Sequence, residues 1–374
     1  MPAAAPSRPA RGPHRVVTMP SRMSDASPLP THGARRLPSV EVDSYNLAIE
    51  NEDGFVGDRA SKTAFAAILD KWREPLRKLD DDPFGKKSSK DVSKKQLITL
   101  LTEGDPDAAG LVHAAIEDFA QELAAVIRRF LRAKGWRDTQ AITIGGGFLG
   151  GRVGEIALGR ASLLLRAKKE DTVSLSPIQH DPDDAGLLGA LHLFPSWMIE
   201  AHDGIIAVDI GGTNIRAGIV ASNLKRSADL SKAQVWKSQL WRHADDQPSR
   251  DEAVERLIAM LDELITRAGK DSFELAPVIG IGCPGIIRED GSIEAGAQNL
   301  PGNWASSRFN LASAIREAIP TLGKHDTAII VHNDAVVQGL SQLPFMAGYE
   351  RWGVLTIGTG LGNARFTRRE RSEG

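Results

Sequence analysis

Apolar positions in the second half of the chain recur with two different periods. Ile205 to Asp209 is a short apolar run, Ile215 to Ala221 a second, and Ala233 to Trp241 alternates apolar with polar residues, so three strands joined by turns are predicted. Val254, Leu257, Ile258, Leu261, Leu264 and Ile265 then return at helical spacing. Pro277 to Cys283 reads as a buried strand ending in Pro-Gly. Beyond it the pattern predicts a helix over Leu311 to Ile319, a strand over Thr327 to Val331, a helix over Ala335 to Gln342 and a strand over Gly353 to Ile357.

The first half is organised around one long helix. Val112, Ile116, Phe119, Leu123, Val126 or Ile127, and Phe130 trace one of its faces, and Gly104-Asp105-Pro106 introduces it. A strand over Ala141 to Ile144 runs into Gly145-Gly146-Gly147, followed by a helix over Val153 to Leu165, a short strand over Val173 to Leu175 and a small-residue helix over Asp184 to Leu193. No internal repeat at a solenoid period is present. The halves meet between Pro195 and Gly204, so the expected division is a disordered extension over 1–40, one segment over 41–200 and another over 201–374. The extension is rich in Pro, Ala, Ser and Arg, with almost no acid, no apolar signal core and no helical period. An organellar leader, or a start at Met19 or Met23, are the alternatives for that stretch.

Three successive strands followed by alternating helix and strand give the order βββαβαβα. That is the ribonuclease-H-like half-domain of the two-lobed actin-like ATPases, an α/β fold. Composition agrees with a bilobal globular chain: 374 residues, 41% hydrophobic and 25% charged. A net charge of −2 speaks against a broad basic face for nucleic acid and favours small-molecule partners. The single cysteine, Cys283, excludes an intramolecular disulfide and a multi-cysteine zinc site, which points to the cytoplasm. No apolar run of about 18 residues exists, so no membrane span is expected. A homodimer is one admissible assembly.

The candidate chemistry lies in the turns. Asp209-Ile210-Gly211-Gly212-Thr213-Asn214 sits between two strands, where glycines let backbone N–H groups face phosphate oxygens. Asp209 is placed to hold Mg²⁺ through water, and Arg216 either adds charge to the phosphates or is a solvated strand residue. Gly358-Thr359-Gly360-Leu361-Gly362 repeats the strand-then-glycine-turn arrangement. Gly145, Gly146 and Gly147 end a third strand, either near an adenine or ribose or as a plain turn. Asn333-Asp334 stands between a strand and a helix. Asp334 is there either as a helix N-cap or as a base that takes the proton of a substrate hydroxyl. Asn299-Leu300-Pro301-Gly302-Asn303-Trp304 offers amide and turn chemistry suited to sugar hydroxyls, with Gly282-Cys283-Pro284-Gly285 as the wall of the same crevice. His332 and the other histidines fit core or surface roles.

By these residues the chain resembles the ROK family, the repressor, open-reading-frame and kinase group of actin-like sugar kinases. DIGGTN is similar to the family's first phosphate motif, GIGCPG to its interior strand and turn, NLPG to its sugar loop, HNDA to its catalytic aspartate segment and TIGTGLG to its second phosphate motif, in family order. The resemblance implies phosphorylation of a sugar, a hexose such as glucose, by ATP and Mg²⁺. It implies Asp334 as base, Asn299 and Asn333 touching sugar, and Asp209, Gly211, Gly212, Thr213, Thr359 and Gly360 near the nucleotide.

Two departures qualify it. Residues 103 to 194, with AITIGGG and DDAGLLGALHLF, resemble the family's C-terminal half yet precede the N-terminal motifs, so a circular permutation covering roughly residues 50 to 367 is expected. Such a permutation requires the Ala141 and Val354 strands to share a sheet. The family's Gly-Glu-x-Gly-His element and cysteine-rich zinc knuckle, which fall at the cut, have no counterpart, so zinc is not expected. Glu50, Glu52, Asp53 or Asp58 are candidates to restore an acidic sugar contact. A weakly catalytic sugar- or nucleotide-sensing regulator, or a kinase using polyphosphate, are the rival functions.

Overall fold

The computed structural model describes residues 29–52, 54–147, 150–167 and 173–369. In chain order the first elements are β1 (Val40–Tyr45), a small hairpin of β2 (Glu50–Asn51) and β3 (Gly54–Phe55), α1 (Lys62–Arg77), α2 (Lys94–Glu103), α3 (Pro106–Arg132), β4 (Ala141–Gly145), α4 (Arg152–Arg166), β5 (Ser174–Pro177) and α5 (Pro182–Gly189). Then follow β6 (Gly204–Ile210), β7 (Ile215–Ala221), β8 (Gln234–Trp241), α6 (His243–Asp246), α7 (Arg250–Lys270), β9 (Leu275–Cys283) and α8 (Leu311–Ala318). The chain continues through a hairpin of β10 (Thr321–Leu322) and β11 (His325–Asp326), β12 (Ala328–Asn333), α9 (Asp334–Leu340), β13 (Arg351–Ile357) and β14 (Leu361–Arg368).

The long helix α3 forms where the apolar stripe demands it. Asp105 accepts from the N–H groups of Asp107 and Ala108, Pro106 opens the first turn, and Val112, Ile116, Phe119, Leu123, Val126, Ile127 and Phe130 are all buried. Two helices were not evident from hydrophobic spacing. In α1 the guanidinium of Arg73 is wholly buried, 2.9 Å from Asp82, with Ser89 and the Lys87 carbonyl as further acceptors. In α2, Ser93 and Gln96 form a capping box.

Two five-stranded sheets share one topology. The second runs β12-β9-β6-β7-β8, with β6, β7 and β8 antiparallel and β9 and β12 parallel to β6. The first runs β1-β14-β13-β4-β5, with β13, β14 and β1 antiparallel and β4 and β5 parallel to β13. In each, a three-stranded meander is followed on its inner side by two parallel strands. The Ala141 and Val354 strands are therefore neighbours, Val354 opposite Thr143. The sequence boundary near residue 200 separates segments and not lobes, because β13 and β14 leave the 201–374 segment to join the first sheet. The first meander is open between β14 and β1: Val40 pairs with Arg368, and the N–H of Arg369 donates to Ser39 at 3.1 Å.

Disorder up to residue 40 does not hold for residues 29–40. Here β12 is an edge strand whose backbone groups need partners, and this segment supplies them. Gly33 N–H donates to the Val331 carbonyl at 3.0 Å, and Val331 N–H donates to His32 Nδ1 at 3.0 Å. Leu37 is buried between the sheets. Residues 1–28 lie outside the described residues.

The lobes are joined by two helices that cross over. Helix α5 follows the first sheet but packs on β6 and β7 of the second, and α9 follows β12 of the second sheet but packs on β13 and β14 of the first. Their contact depends on a missing side chain: a Cβ on Gly189 would stand 1.7 Å from the carbonyl oxygen of Val337. Among the described residues no helix is long and apolar enough to cross a membrane.

Candidate active site

The carboxyl ends of the parallel strands of the second sheet carry the acidic residues, the position where open α/β sheets bind ligands. Asp209 on β6 and His332 on β12 both stand in register with Gly282 of β9 between them. Glycine there leaves a gap, and the Cα of Asp334 lies 3.5 Å from the point a Gly282 Cβ would occupy. Asp209 and Asp334 thus flank one glycine.

Their electrostatics differ. Asp334 is partly exposed, and its removal from bulk water together with the Asp209 charge raises its pKa to about 7. Asp209 is buried, which pushes its carboxyl upward, while Arg216 pulls the other way. Arg216 Nη1 is 3.8 Å from Asp209, and Nη2 pairs with Asp183 of α5. It is held between two carboxylates.

The helix cap falls one residue before Asp334. Asn333 is the N-cap of α9: its Oδ1 accepts from Ala335 and Val336 N–H, and its Nδ2 donates to the Gly285 carbonyl at 3.0 Å. Asn333 is 2% exposed, and its amide holds α9 against the Gly285 turn. His332 is buried, its pKa pushed down to about 4 by desolvation, and its Nδ1 accepts from Asn333 N–H. The neutral ring is part of the packing.

The first glycine turn is closed by Gly211 N–H donating to the Asn214 carbonyl at 2.8 Å and steadied by His243 Nε2, 2.8 Å from the Gly211 carbonyl. A Cβ on Gly212 would come within 3.0 Å of the Asn299 Cβ, so the turn with Gly211, Gly212 and Thr213 meets the exposed Asn299 loop directly. Gly302, at φ +74°, packs on Arg250 at the start of α7 and shapes that loop.

The second and third glycine runs adjoin each other because β13 and β4 are neighbours. Gly146, at φ +98°, approaches the Ile357 carbonyl so closely that a Cβ would lie 2.2 Å from it, just before Gly358. Gly145 is buried and Gly147 exposed. Gly358 and Thr359 expose their turn while their carbonyls accept from Lys62 N–H and Thr63 Oγ1 of α1, and Gly358 N–H donates to Gly360. Helix α9 connects the two sides. Its first residue, Asp334, stands beside Asp209, and Gln338, one turn on, has its Oε1 3.6 Å from the Gly145 Cβ position.

Some contributors were not foreseen. Gly186 of α5 lies on Asp209, where a Cβ would be 2.4 Å from the carboxyl carbon; its only trace in the sequence was the small-residue helix. Asn46, at φ +50°, brings its Nδ2 to 2.7 Å from the Gly296 Cβ position, beside the Gly285 turn. Of the acids considered as sugar contacts, Glu50 and Glu52 are exposed in or beside the small hairpin, and Asp58 lies in a turn packed beside Leu361 at the second glycine run. Asp53 is outside the described residues.

Two sheets of one topology, joined through crossing helices with glycine turns and a carboxylate pair at their ends, define the actin-like ATPase fold. The ROK family model matches residues 205–368. No curated protein matches the chain. Among solved structures the chain is similar to the Lmo2764 protein of Listeria monocytogenes, a candidate N-acetylmannosamine kinase, at 21% identity and a TM-score of 0.29. That match covers 44% of this chain and 47% of the other, so the chain spans about half the length of that protein.

Proposed function

We propose that the protein transfers the γ-phosphoryl group of ATP to a sugar hydroxyl, a hexose being the first candidate. The observation that carries this reading is the carboxylate pair at Gly282, in which Asp334 is raised to about 7 while standing beside the first glycine turn. A base with that pKa takes a proton near neutral pH and still ionises there. Asp334 accepts the hydroxyl proton as the oxygen bonds to the γ-phosphorus and the bond from that phosphorus to the bridging oxygen breaks, with ADP leaving. The turns at Gly211–Thr213 and Gly358–Gly360 would hold phosphates through backbone N–H groups, with the Gly145–Gly147 turn beside the nucleotide, and the exposed Asn299 and the Gly302 turn would grip the acceptor.

The donor set suits a hard cation: Asp209 offers carboxylate oxygen next to a second carboxylate whose repulsion a cation would relieve. Asp209 would hold Mg²⁺ through water, and the ion would neutralise charge on the transferring group.

The chain order is read as a circular permutation. The two sheets match position for position if β14 is joined to β1, and the open ends at Arg368 and Val40 are paired neighbours. Contacts, and not connectivity, then build the cleft.

The direct test is coupled ADP release over a panel of hexoses and aminosugars. Turnover on one acceptor is expected; binding without turnover on all would select a sensor. A second expected outcome concerns pH. The log of kcat/KM should climb with unit slope below about 7 and level off above it, because Asp334 acts only when deprotonated; a flat profile between pH 5 and 8 would remove Asp334 from the base role.

A further inference from the structure

The first glycine turn is held by a side chain that lies outside it. Strand β8 pairs with β7 so that Trp241 stands opposite Ile215, the residue that leaves the turn, and two residues later His243 opens α6. His243 is 3% exposed, with the Trp241 ring edge-on at 6.0 Å. Trp241 Nε1 donates to Asp246 at 2.6 Å and Gln247 N–H to the His243 carbonyl at 3.0 Å, so α6 gives the imidazole a fixed base. From there Nε2 lies 2.8 Å from the Gly211 carbonyl oxygen. A ring carbon would not come so close, because C–H···O contacts lie at about 3.3–3.6 Å. A carbonyl only accepts, so Nε2 carries the hydrogen and donates. The next residue adds a second tie: Ala244 N–H donates to the Thr213 carbonyl at 3.2 Å.

These ties fix more than the two oxygens they touch. In a planar trans peptide the N–H points opposite to the C=O of the same unit. With the Gly211 carbonyl drawn to the buried imidazole, the Gly212 N–H is turned away from it, and the Thr213 carbonyl on Ala244 turns the Asn214 N–H in the same manner. Gly212 is exposed and Asn214 half-buried, so the side of the turn away from His243 is the open one. The Gly211–Gly212 peptide has a glycine on either side and meets little steric resistance to flipping. We infer that His243 is a positioning residue for the phosphate-binding turn: by holding the Gly211 carbonyl it prevents that flip and keeps the Gly212 N–H presented to a nucleotide phosphate. The inference rests on the nucleotide cleft proposed above. His243 itself touches no ligand; its effect passes through the peptide it holds.

Calorimetric titration of MgADP into the full chain compares wild type with His243→Phe, His243→Leu and His243→Gln. The first two remove the donor with different shapes, and the third returns an N–H near the place of Nε2. His243→Phe and His243→Leu should bind MgADP roughly five- to twentyfold more weakly, the size of one lost hydrogen bond. His243→Gln should recover to within about threefold of wild type. AMP, which lacks the β-phosphate, isolates the phosphate end: the rise in melting temperature that millimolar AMP produces should be the same in all four proteins. Wild-type affinity for MgADP in His243→Phe and His243→Leu overturns the inference. So does a His243→Gln protein as weak as those two, or an AMP shift reduced in the same proportion, since either marks a residue that only packs. Loss of the fold in both His243→Phe and His243→Leu overturns it likewise. Wild type that binds no MgADP overturns the nucleotide-cleft reading itself, which the wild-type titration alone reveals.

Discussion

Asp334→Asn is expected to lower turnover by roughly two to four orders of magnitude, the usual contribution of a general base, while ADP binding is retained. The amide is isosteric, and the surrounding contacts survive: Asn333 still caps α9 and Gly282 still leaves the gap beside the side chain. Only the ability to take a proton is removed. The same variant should change the pH dependence of stability. The folded-state pKa of Asp334, about 7, lies above its ordinary value of 3.8, so the folded protein holds a proton that the unfolded chain has released between those values. Its contribution to stability is therefore full below pH 3.8 and is lost as pH rises through about 7. Asp334→Asn escapes that loss. The difference in melting temperature between variant and wild type should widen from pH 4 to 7 in favour of the variant and stay constant above. Unchanged turnover would dismiss Asp334 as the base whatever the melting curves show.

Gly189→Val should cost more than about 4 kcal/mol, the range reserved for severe overpacking at a buried site, and should leave little folded protein. The reason is local and steric. The Cβ position is 1.7 Å from a backbone carbonyl, so no side-chain rearrangement relieves the clash and α5 must separate from α9. Those two helices join the sheets, so the variant tests the interlobe joint itself. A contrasting substitution isolates the cause: Gly159→Ala in α4, where a Cβ meets nothing within 4 Å, should stabilise by roughly 0.5–1 kcal/mol from helix propensity alone. Denaturant unfolding of both variants measures the difference; a Gly189→Val protein as stable as wild type would contradict the close approach of α5 and α9.

The second sheet was legible because local signals agree with tertiary ones there. Ile205–Asp209 and Ile215–Ala221 are apolar on both faces, as strands covered by helices must be, and their turn is marked by Gly-Gly. The first sheet was half hidden. β1 and β14 carry polar and charged residues such as Asp43, Arg365 and Thr367, which pair with one another across strands instead of showing a clean alternation. Their apolar partners are distant in sequence, and no window along the chain contains both. Helix α1 is hidden in the sequence for a similar reason. Its Arg73 is a core residue only because Asp82 and Ser89 fold back over it.

At the site the motif positions were readable but their duties were not. Asp209, Gly211, Gly212 and Asp334 lie together because β6, β9 and β12 end side by side. The sugar contact that the resemblance implies for Asn333, and the phosphate contact that is one of two readings of Arg216, leave unsaid that one also caps α9 and the other also pairs with Asp183 and Asp209. Gly186 shows in the sequence only as part of the small-residue helix. Gly186 matters through the carboxylate it touches across the interface.

The central claim is transfer of phosphate in this cleft by Asp334. Its most direct measurement is the fate of the label from [γ-³²P]ATP incubated with wild-type protein, Mg²⁺ and the acceptor selected from the sugar panel. Label should appear in a sugar phosphate, in step with ADP, and Asp334→Asn should bind the nucleotide and leave the label on ATP. Label released only as inorganic phosphate, or transferred equally well by Asp334→Asn, would contradict the account.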